Sequence, residues 1–104
     1  PRYGSFTGTD LDLILRTNGI EAVIIGGIAT NVCCDTTARE ANQRDYKVFF
    51  LSDGTGNHGM QGLSAEEIKA ATLAAIRLAF GQVLTVDETI AKIEEGGQEI
   101  VAAE

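Results

Sequence analysis

Cys33 is the residue of this sequence best placed to do chemistry. The unbroken apolar run at residues 22–25 predicts a strand buried on both faces, and the glycine pair at 26–27 is predicted to end it. Thr30 and Asn31 are good N-cap residues, which predicts a helix beginning there. Cys33 then falls in the first helical turn, where unpaired N–H groups and the helix dipole favour a thiolate and stabilise a developing negative oxygen. We interpret this turn as a candidate nucleophile elbow.

The second cysteine, Cys34, receives a different interpretation. It lies roughly 100° further round a helix than Cys33, so the two thiols do not face the same way. Cys34 is predicted to pack in the core, with a redox role as the alternative. Packing also remains an alternative for Cys33, because cysteines in a small chain are often buried hydrophobes.

The only histidine, His58, lies in a glycine-rich loop at residues 52–63. This loop follows an apolar run at 48–51 that predicts a second buried strand. Parallel strands present their carboxyl ends at one sheet edge, where ligands bind in open α/β sheets, so His58 is a candidate general base for Cys33. The alternative, an exposed loop residue, is the more common situation for a lone histidine.

Composition excludes several classes of protein. The chain has 104 residues, 44% of them hydrophobic and 22% charged, which is typical of one globular domain. No apolar run reaches the roughly 20 residues of a membrane span, and a net charge of −7 argues against nucleic acid or an anionic membrane as partner. Two cysteines form no disulfide framework, so a cytoplasmic location is expected. The residues show no cofactor or metal motif.

The order of predicted elements indicates an α/β fold with a parallel sheet. Two apolar strands flank the helix that carries Cys33, which is the pattern of a βαβ unit. A first helix is predicted at 10–17, capped by Thr9, with Leu11, Ile14 and Leu15 as its apolar face. Further helices are predicted at 64–80 and 86–95, each opened by a capping-box pattern, with a short strand at 83–84 between them. The run at 100–101 needs a docking site to be ordered.

The sequence resembles the isochorismatase-like cysteine hydrolases, which include nicotinamidases, N-carbamoylsarcosine amidase, biuret hydrolase and ureidoacrylate amidohydrolase. The resemblance rests on R-Y-G-S-F-T-G-T-D-L at 2–11, G-I-A-T-N-V-C at 27–33, T-A-R-E-A at 37–41, L-S-D at 51–53 and F-G-Q-V-L-T-V-D-E at 80–88. It covers nearly the whole chain, in order. It implies a three-layer α/β/α fold with a parallel sheet, of which this chain is the C-terminal portion of a single domain.

The resemblance also implies a mechanism. The family cleaves a C–N bond of a small amide through a cysteine thioester, with a Cys-Asp-Lys triad in which Cys33 matches the nucleophile. The oxyanion hole would consist of the backbone N–H groups of Ala29 and Cys33, and a cis peptide would join Ile28 to Ala29. Thr30, Asn31 and His58 are candidates for contacts on the substrate side.

Two triad residues have no counterpart in these 104 residues. The family's aspartate lies in the half that precedes this chain, and its lysine would stand one residue before Pro1; Arg2 is no substitute, because its guanidinium does not exchange a proton at neutral pH. The metal ligands of some nicotinamidases also lie in that half. We therefore expect a complementary N-terminal segment and a homo-oligomer as partners, and no stable, active monomer from the 104 residues alone. A non-catalytic α/β module that holds a small molecule or an anion is the alternative function.

Overall fold

The structure, a computed structural model, describes residues 3–96 and 100–103. The strands form one parallel sheet in the order β3-β2-β1-β4, with β1 at Ala22–Ile28, β2 at Lys47–Gly56, β3 at Gln82–Leu84 and β4 at Ile100–Ala103. The helices are α1 at Leu11–Thr17, α2 at Asp35–Gln43, α3 at Ala65–Ala79 and α4 at Val86–Gly96. A π-helical turn at Thr30–Cys34 leads into α2. None of the helices in the described ranges is long and apolar enough to cross a membrane.

The main core lies between the sheet and helices α1, α2 and α3. Val23 and Ile25 of β1 stand in register with Val48 and Phe50 of β2, and all four side chains are buried. Each contributes about 1.5–3 kcal/mol by leaving water. Because side chains alternate along a strand, Phe49 faces the other way, and α4 packs on β2 without joining this core. The result is the expected three-layer α/β/α architecture.

Both predicted capping boxes are present. At the start of α3 the Ser64 hydroxyl accepts a hydrogen bond from the Glu67 backbone N–H at 3.1 Å, and the Glu67 carboxylate accepts one from the Ser64 N–H at 2.9 Å. Thr85 and Glu88 exchange the same two bonds before α4, at 2.8 and 3.0 Å. Two of the four orphan N–H groups at each helix start are therefore satisfied locally, so the sequence predicted both starts well.

The glycine pair does not end β1, as the sequence had predicted. The strand continues to Ile28 through a register shift between Ile25 and Gly27, and Gly27 adopts a φ of 113° that favours glycine. The predicted apolar face of α1 is also only partly correct. Leu11 and Leu15 pack in the core, whereas Ile14 is exposed.

On the side away from β2, β1 pairs with a strand that the sequence analysis did not assign. Residues 22–25 of β1 pair in parallel with residues 100–103 of β4, so β1 is an inner strand of the described sheet. The sequence analysis described the run at 100–101 only as a segment that needs a docking site, and the edge of β1 provides that site. The reason is that a four-residue stretch was too short to be recognised as a strand without knowledge of the edge that it joins.

A polar cluster fastens α1 to the start of β2. The Tyr46 hydroxyl donates to the Asp12 carboxylate at 2.7 Å, and Arg16 lies over the Tyr46 ring at 4.1 Å from its centroid. Arg16 also approaches Asp12 at 3.5 Å. Burial and the hydrogen bond to Asp12 raise the pKa of Tyr46 to about 12.

Replacing Tyr46 with Phe is expected to lower the free energy of unfolding by about 1 kcal/mol at neutral pH, the net value of one such hydrogen bond. Because the folded-state pKa is raised, the stabilisation is complete below pH 10 and is lost as the pH rises towards 12. Urea titrations of the whole protein at pH 7, 10 and 11.5 measure this, with Tyr3→Phe as the exposed control. An equal alkaline loss of stability in wild type and Tyr46→Phe would contradict the assignment.

Candidate active site

The end of β1 turns sharply into the helix that carries Cys33. The last strand residue, Ile28, is 74% exposed, and the peptide bond from Ile28 to Ala29 is cis. Ala29 itself is extended, and its carbonyl accepts hydrogen bonds from the N–H groups of Val32 at 3.2 Å and Cys34 at 3.0 Å. The chain therefore passes from strand to helix within one residue, and Cys33 lies in the first helical turn.

The two adjacent cysteines have different surroundings. Cys34 is fully buried in the main core, with its sulfur 3.7 Å from the Gly26 carbonyl oxygen. Cys33 is only half-buried. This difference arises because consecutive residues of a helix point in directions about 100° apart. Cys33 is therefore the thiol that a small molecule can reach.

Thr30 and Asn31 do not cap the helix as the sequence had suggested. Neither side chain makes an N-cap hydrogen bond, because the helix opens with a π-turn whose N-cap is Ala29. Thr30 is fully buried, and its hydroxyl oxygen has no hydrogen-bond partner within the described residues; the same holds for the Asn31 amide oxygen. The Asn31 amide nitrogen lies 3.8 Å from the Met60 sulfur. A buried polar atom without a partner costs about 1–3 kcal/mol, so both oxygens are suited to accept a donor brought to the elbow.

His58 lies apart from Cys33 in the hydrogen-bond network. It is exposed in the loop after β2, and its backbone carbonyl accepts a weak hydrogen bond from the Asn57 side chain at 3.3 Å. Asn57 also donates to the Ala65 carbonyl at 3.0 Å, which ties the loop to α3. No hydrogen bond joins the His58 ring to the Cys33 thiol, although both residues are in the described range. The Cys-His pair considered from sequence is not formed in this structure.

An apolar pocket of about 330 Å³ adjoins the elbow on the side of this loop. Its lining residues are Asn31, Met60, Gln61, Leu63, Ile68, Ala71 and Thr72. Met60 and Leu63 are joined by two backbone hydrogen bonds of 3.0 and 2.9 Å, which turn the loop back on itself over Asn31. Sequence reasoning missed this pocket, since the residues 60–63 form no element that periodicity reveals.

Two charged residues in the segments that resemble the family, Arg39 and Asp53, contact other parts of the chain. Arg39 pairs with Asp35 at 3.0 Å and lies 4.5 Å from the centre of the Phe80 ring, so its guanidinium is occupied by contacts within the chain. Asp53 accepts a hydrogen bond from the Val86 N–H at 2.8 Å and so fixes the start of α4 to the end of β2. In the described ranges no three His, Cys, Asp or Glu side chains lie close enough together to bind a metal ion.

Glu40 on α2 binds the N-terminal segment, a contact that the sequence analysis did not single out. Its carboxylate accepts hydrogen bonds from the backbone N–H groups of Phe6 at 3.0 Å and Thr7 at 3.2 Å, and from the Thr7 hydroxyl. Partial burial alone would raise the pKa of Glu40, but these hydrogen bonds, with Arg44 nearby, hold it below the usual range for glutamate. The sequence feature that could have indicated this contact is an acidic residue in one segment together with a glycine-rich turn in another.

Comparisons with known proteins agree with this fold. The isochorismatase domain family model matches residues 1–88. Nicotinamidase 3 of Arabidopsis thaliana is 41% identical over 85 residues, 82% of this chain and 39% of that protein. Ureidoacrylate amidohydrolase RutB of Methylobacterium radiotolerans is 40% identical over 86 residues, 83% of this chain and 31% of that protein.

A solved structure gives the same result in three dimensions. The cysteine hydrolase from Pseudomonas syringae pv. phaseolicola 1448A is 38% identical and superposes with a TM-score of 0.81, over 89% of this chain and 46% of that one. The chain spans less than half the length of the curated relatives that it matches. The extent of the family match, together with the fold, shows that this chain belongs to the isochorismatase family of hydrolases.

Proposed function

We propose that the whole protein is an amidohydrolase that cleaves a C–N bond of a small amide or carbamoyl compound, with Cys33 as its nucleophile. Support comes above all from the position of Cys33, a half-exposed thiol in the first turn of a helix that follows directly on β1. The relatives named nicotinamidase and ureidoacrylate amidohydrolase act on small molecules of this class, as their names state.

The chemistry proceeds in two steps. The Cys33 thiolate attacks the carbonyl carbon, a C–S bond forms, and the C–N bond breaks as the nitrogen leaves with a proton. Water then attacks the thioester, which releases the acid and restores the thiol. The backbone N–H groups of Ala29 and Cys33 are proposed to stabilise the oxyanion in both steps. Proton transfers belong to the aspartate and lysine that the resemblance implies, and no cofactor or metal is proposed in this chain.

The substrate-side contacts are proposed to come from Thr30 and Asn31. Their unpartnered oxygens are acceptors at the elbow, and an amide or ureido N–H group is a donor of matching chemistry. His58 has at most a minor part, because it is exposed and is not hydrogen-bonded to the thiol. The non-catalytic alternative, an α/β module that binds an anion at the elbow, leaves the Asn31 amide oxygen without a role, because an anion offers it no donor.

Replacing Cys33 with Ser in the whole protein is expected to reduce turnover at least a thousandfold, since a serine hydroxyl at neutral pH is a far weaker nucleophile than a thiolate. The measurement is ammonia release from ureidoacrylate, biuret, N-carbamoyl amino acids and nicotinamide. His58→Ala is the matched variant and should retain most activity. Unchanged turnover in Cys33→Ser would remove Cys33 from the mechanism, and a thousandfold loss in His58→Ala, about 4 kcal/mol, would identify the histidine as the base.

Selective alkylation tests the thiol directly. In the native whole protein, iodoacetamide is expected to modify Cys33 at least tenfold faster than Cys34, because Cys34 is fully buried in the core. Peptide mass spectrometry at timed intervals measures both rates, and the two rates should converge in denaturant. Equal rates in the native state would show that the surroundings of the two cysteines do not differ as described.

Two partners are proposed for the chain: the complementary N-terminal part of the same domain, and further copies in a homo-oligomer. Support comes from the relatives, which are more than twice as long as the matched region, and from apolar side chains left in solvent. Ile28 is 74% exposed beside the elbow, and Ile90 and Ile93 of α4 are 47% and 41% exposed. Apolar surface of this kind favours association.

The 104 residues alone are therefore expected not to form a stable, active monomer. Size-exclusion chromatography should show association or heterogeneity, and hydrogen exchange should show weak protection at the β1 and β2 amides. The whole protein is the control and should protect both strands. A monodisperse monomer of the 104 residues with strong protection in both strands would show that the chain is self-sufficient.

A further inference from the structure

The last two residues of β1 pair with a part of β2 that follows a bulge. Regular pairing stops at Ile25, opposite Phe50. It resumes at Gly27, opposite Thr55, so β2 has three more residues than β1 between these pairs. A bulge interrupts the ladder of hydrogen bonds, and strand ends open more easily than strand centres. The short pairing beyond the bulge, which leads directly to Ala29, therefore depends on contacts from outside the two strands.

Two hydrogen bonds of Thr55 hold this part of β2. Its hydroxyl donates to the Leu51 carbonyl at 2.8 Å, which closes the bulge from within. Its own carbonyl accepts a hydrogen bond from the Lys69 ammonium of α3 at 2.6 Å. Thr55 is only 6% exposed, and a hydrogen bond from a charged donor is strong where water is largely excluded.

The charge of Lys69 is directed at the backbone and not at a carboxylate. Among residues 3–96 and 100–103 its ammonium forms no salt bridge, although Glu66 stands three places earlier on α3, at a spacing that allows one. The side chain instead crosses to a strand residue 14 positions earlier in the sequence. The contact is therefore a link between α3 and the end of β2.

The same helix packs on the π-turn of the elbow. Ile68 and Thr72 of α3 line one pocket with Asn31 of that turn, and both lie within one helical turn of Lys69. The helix thus contacts the π-turn directly and holds the end of β1 indirectly, through β2. The two parts of the chain that flank Ala29 are therefore held by one helix.

We infer that Lys69 is a positioning residue of the elbow: through the Thr55 carbonyl it holds the end of β2, and with it the end of β1 that directs the Ala29 N–H. The inference rests on the proposed function for the part that this N–H takes in the oxyanion hole. Such a donor stabilises the transition state only when it points at the developing negative oxygen. Loosening of the strand end therefore lowers kcat more than it weakens substrate binding.

The test uses the whole protein and two substitutions that loosen the bulge from different sides. Lys69→Met removes the ammonium and keeps most of the apolar stem, and Thr55→Val removes the hydroxyl that bonds to Leu51. Lys69→Arg keeps a charged donor and is the conservative variant. Lys92→Met, at an exposed lysine of α4, is the matched control.

Three measurements are made on each variant. Hydrogen exchange of peptides is followed at residues 26–28 and 54–56, with residues 22–25 as the reference within the same strand. The rate of Cys33 alkylation by iodoacetamide is measured at pH 7. Ammonia release gives kcat and KM separately.

Both loosening variants should speed exchange at least tenfold at 26–28 and 54–56, and less than threefold at 22–25. They should lower kcat at least tenfold with KM changed less than threefold. Alkylation of Cys33 should change less than threefold, because a thiolate displaces iodide without an oxyanion hole. Lys69→Arg should keep kcat within threefold of the wild-type value, and Lys92→Met should match wild type in every measurement.

Three results would overturn the inference. Unchanged exchange at 26–28 in Lys69→Met would show that the link does not hold the strand end. Faster exchange there with unchanged kcat would show that the strand end is loose without consequence for the reaction. Equal acceleration at 22–25 and 26–28 would indicate a general loss of stability. If Lys69→Met fails to fold, Lys69→Gln is judged by the same criteria.

Failure of the proposed function gives a different pattern. In that case the wild type releases no ammonia from any amide of the panel, while hydrogen exchange remains measurable. Faster exchange confined to 26–28 and 54–56 in Lys69→Met would then sustain Lys69 as the residue that holds the elbow, without amide hydrolysis. Unchanged exchange would reject it.

Discussion

The close approach of β1 and β2 at Gly26 is the constraint on which the elbow depends. A Cβ at Gly26 would lie 3.2 Å from both the Gly54 carbonyl oxygen and a Leu51 methyl group, which is tighter than ordinary packing. At Gly54 the corresponding distance to Leu51 is 2.6 Å. Because neither glycine carries a side chain, the adjacent strands β1 and β2 can approach each other closely there. Their pairing then resumes at Gly27, opposite Thr55.

This irregular pairing determines where β1 ends. Pairing resumes at Gly27, one residue before β1 ends at Ile28, and the turn at Ala29 follows directly. Cys34 packs beneath the strand, with its sulfur near the Gly26 carbonyl, whereas Cys33 is partly exposed. The buried thiol thus lies against the irregular part of β1, eight residues earlier in the chain.

Sequence patterns predicted the regular helices and strands of this fold, and they failed where contacts between distant segments determine the local structure. The capping boxes at Ser64 and Thr85 are local hydrogen-bond devices, and both were found from their spacing alone. The starts of β1 and β2 followed from continuous apolar runs, but β2 continues to Gly56, into residues that were predicted as a loop. The continuation of β1 beyond Gly26 was missed, because the pattern treats glycine as an interruption and contains no information on the facing strand.

The candidate site was predictable to a similar degree. The position of Cys33 in the first turn of a helix follows from the sequence, but the π-turn and the failure of Thr30 to cap the helix do not, because capping depends on side-chain direction at the sheet edge. The strand at 100–103 and the contacts of Glu40 were missed for a related reason. Each joins segments at least 33 residues apart in the sequence, and local hydrophobic periodicity carries no information on contacts between such segments.

The segments that identify the family are joined in pairs by these long-range bonds. The N-terminal segment meets T-A-R-E-A through Thr37 and Glu40, and L-S-D meets the start of α4 through Asp53 and Val86. F-G-Q-V-L meets α2 through the Asn42 side chain, which donates to the Phe80 carbonyl at 3.2 Å. Motifs that lie apart in the sequence are therefore the two sides of single contacts, and these contacts connect α2 and α4 to the rest of the fold.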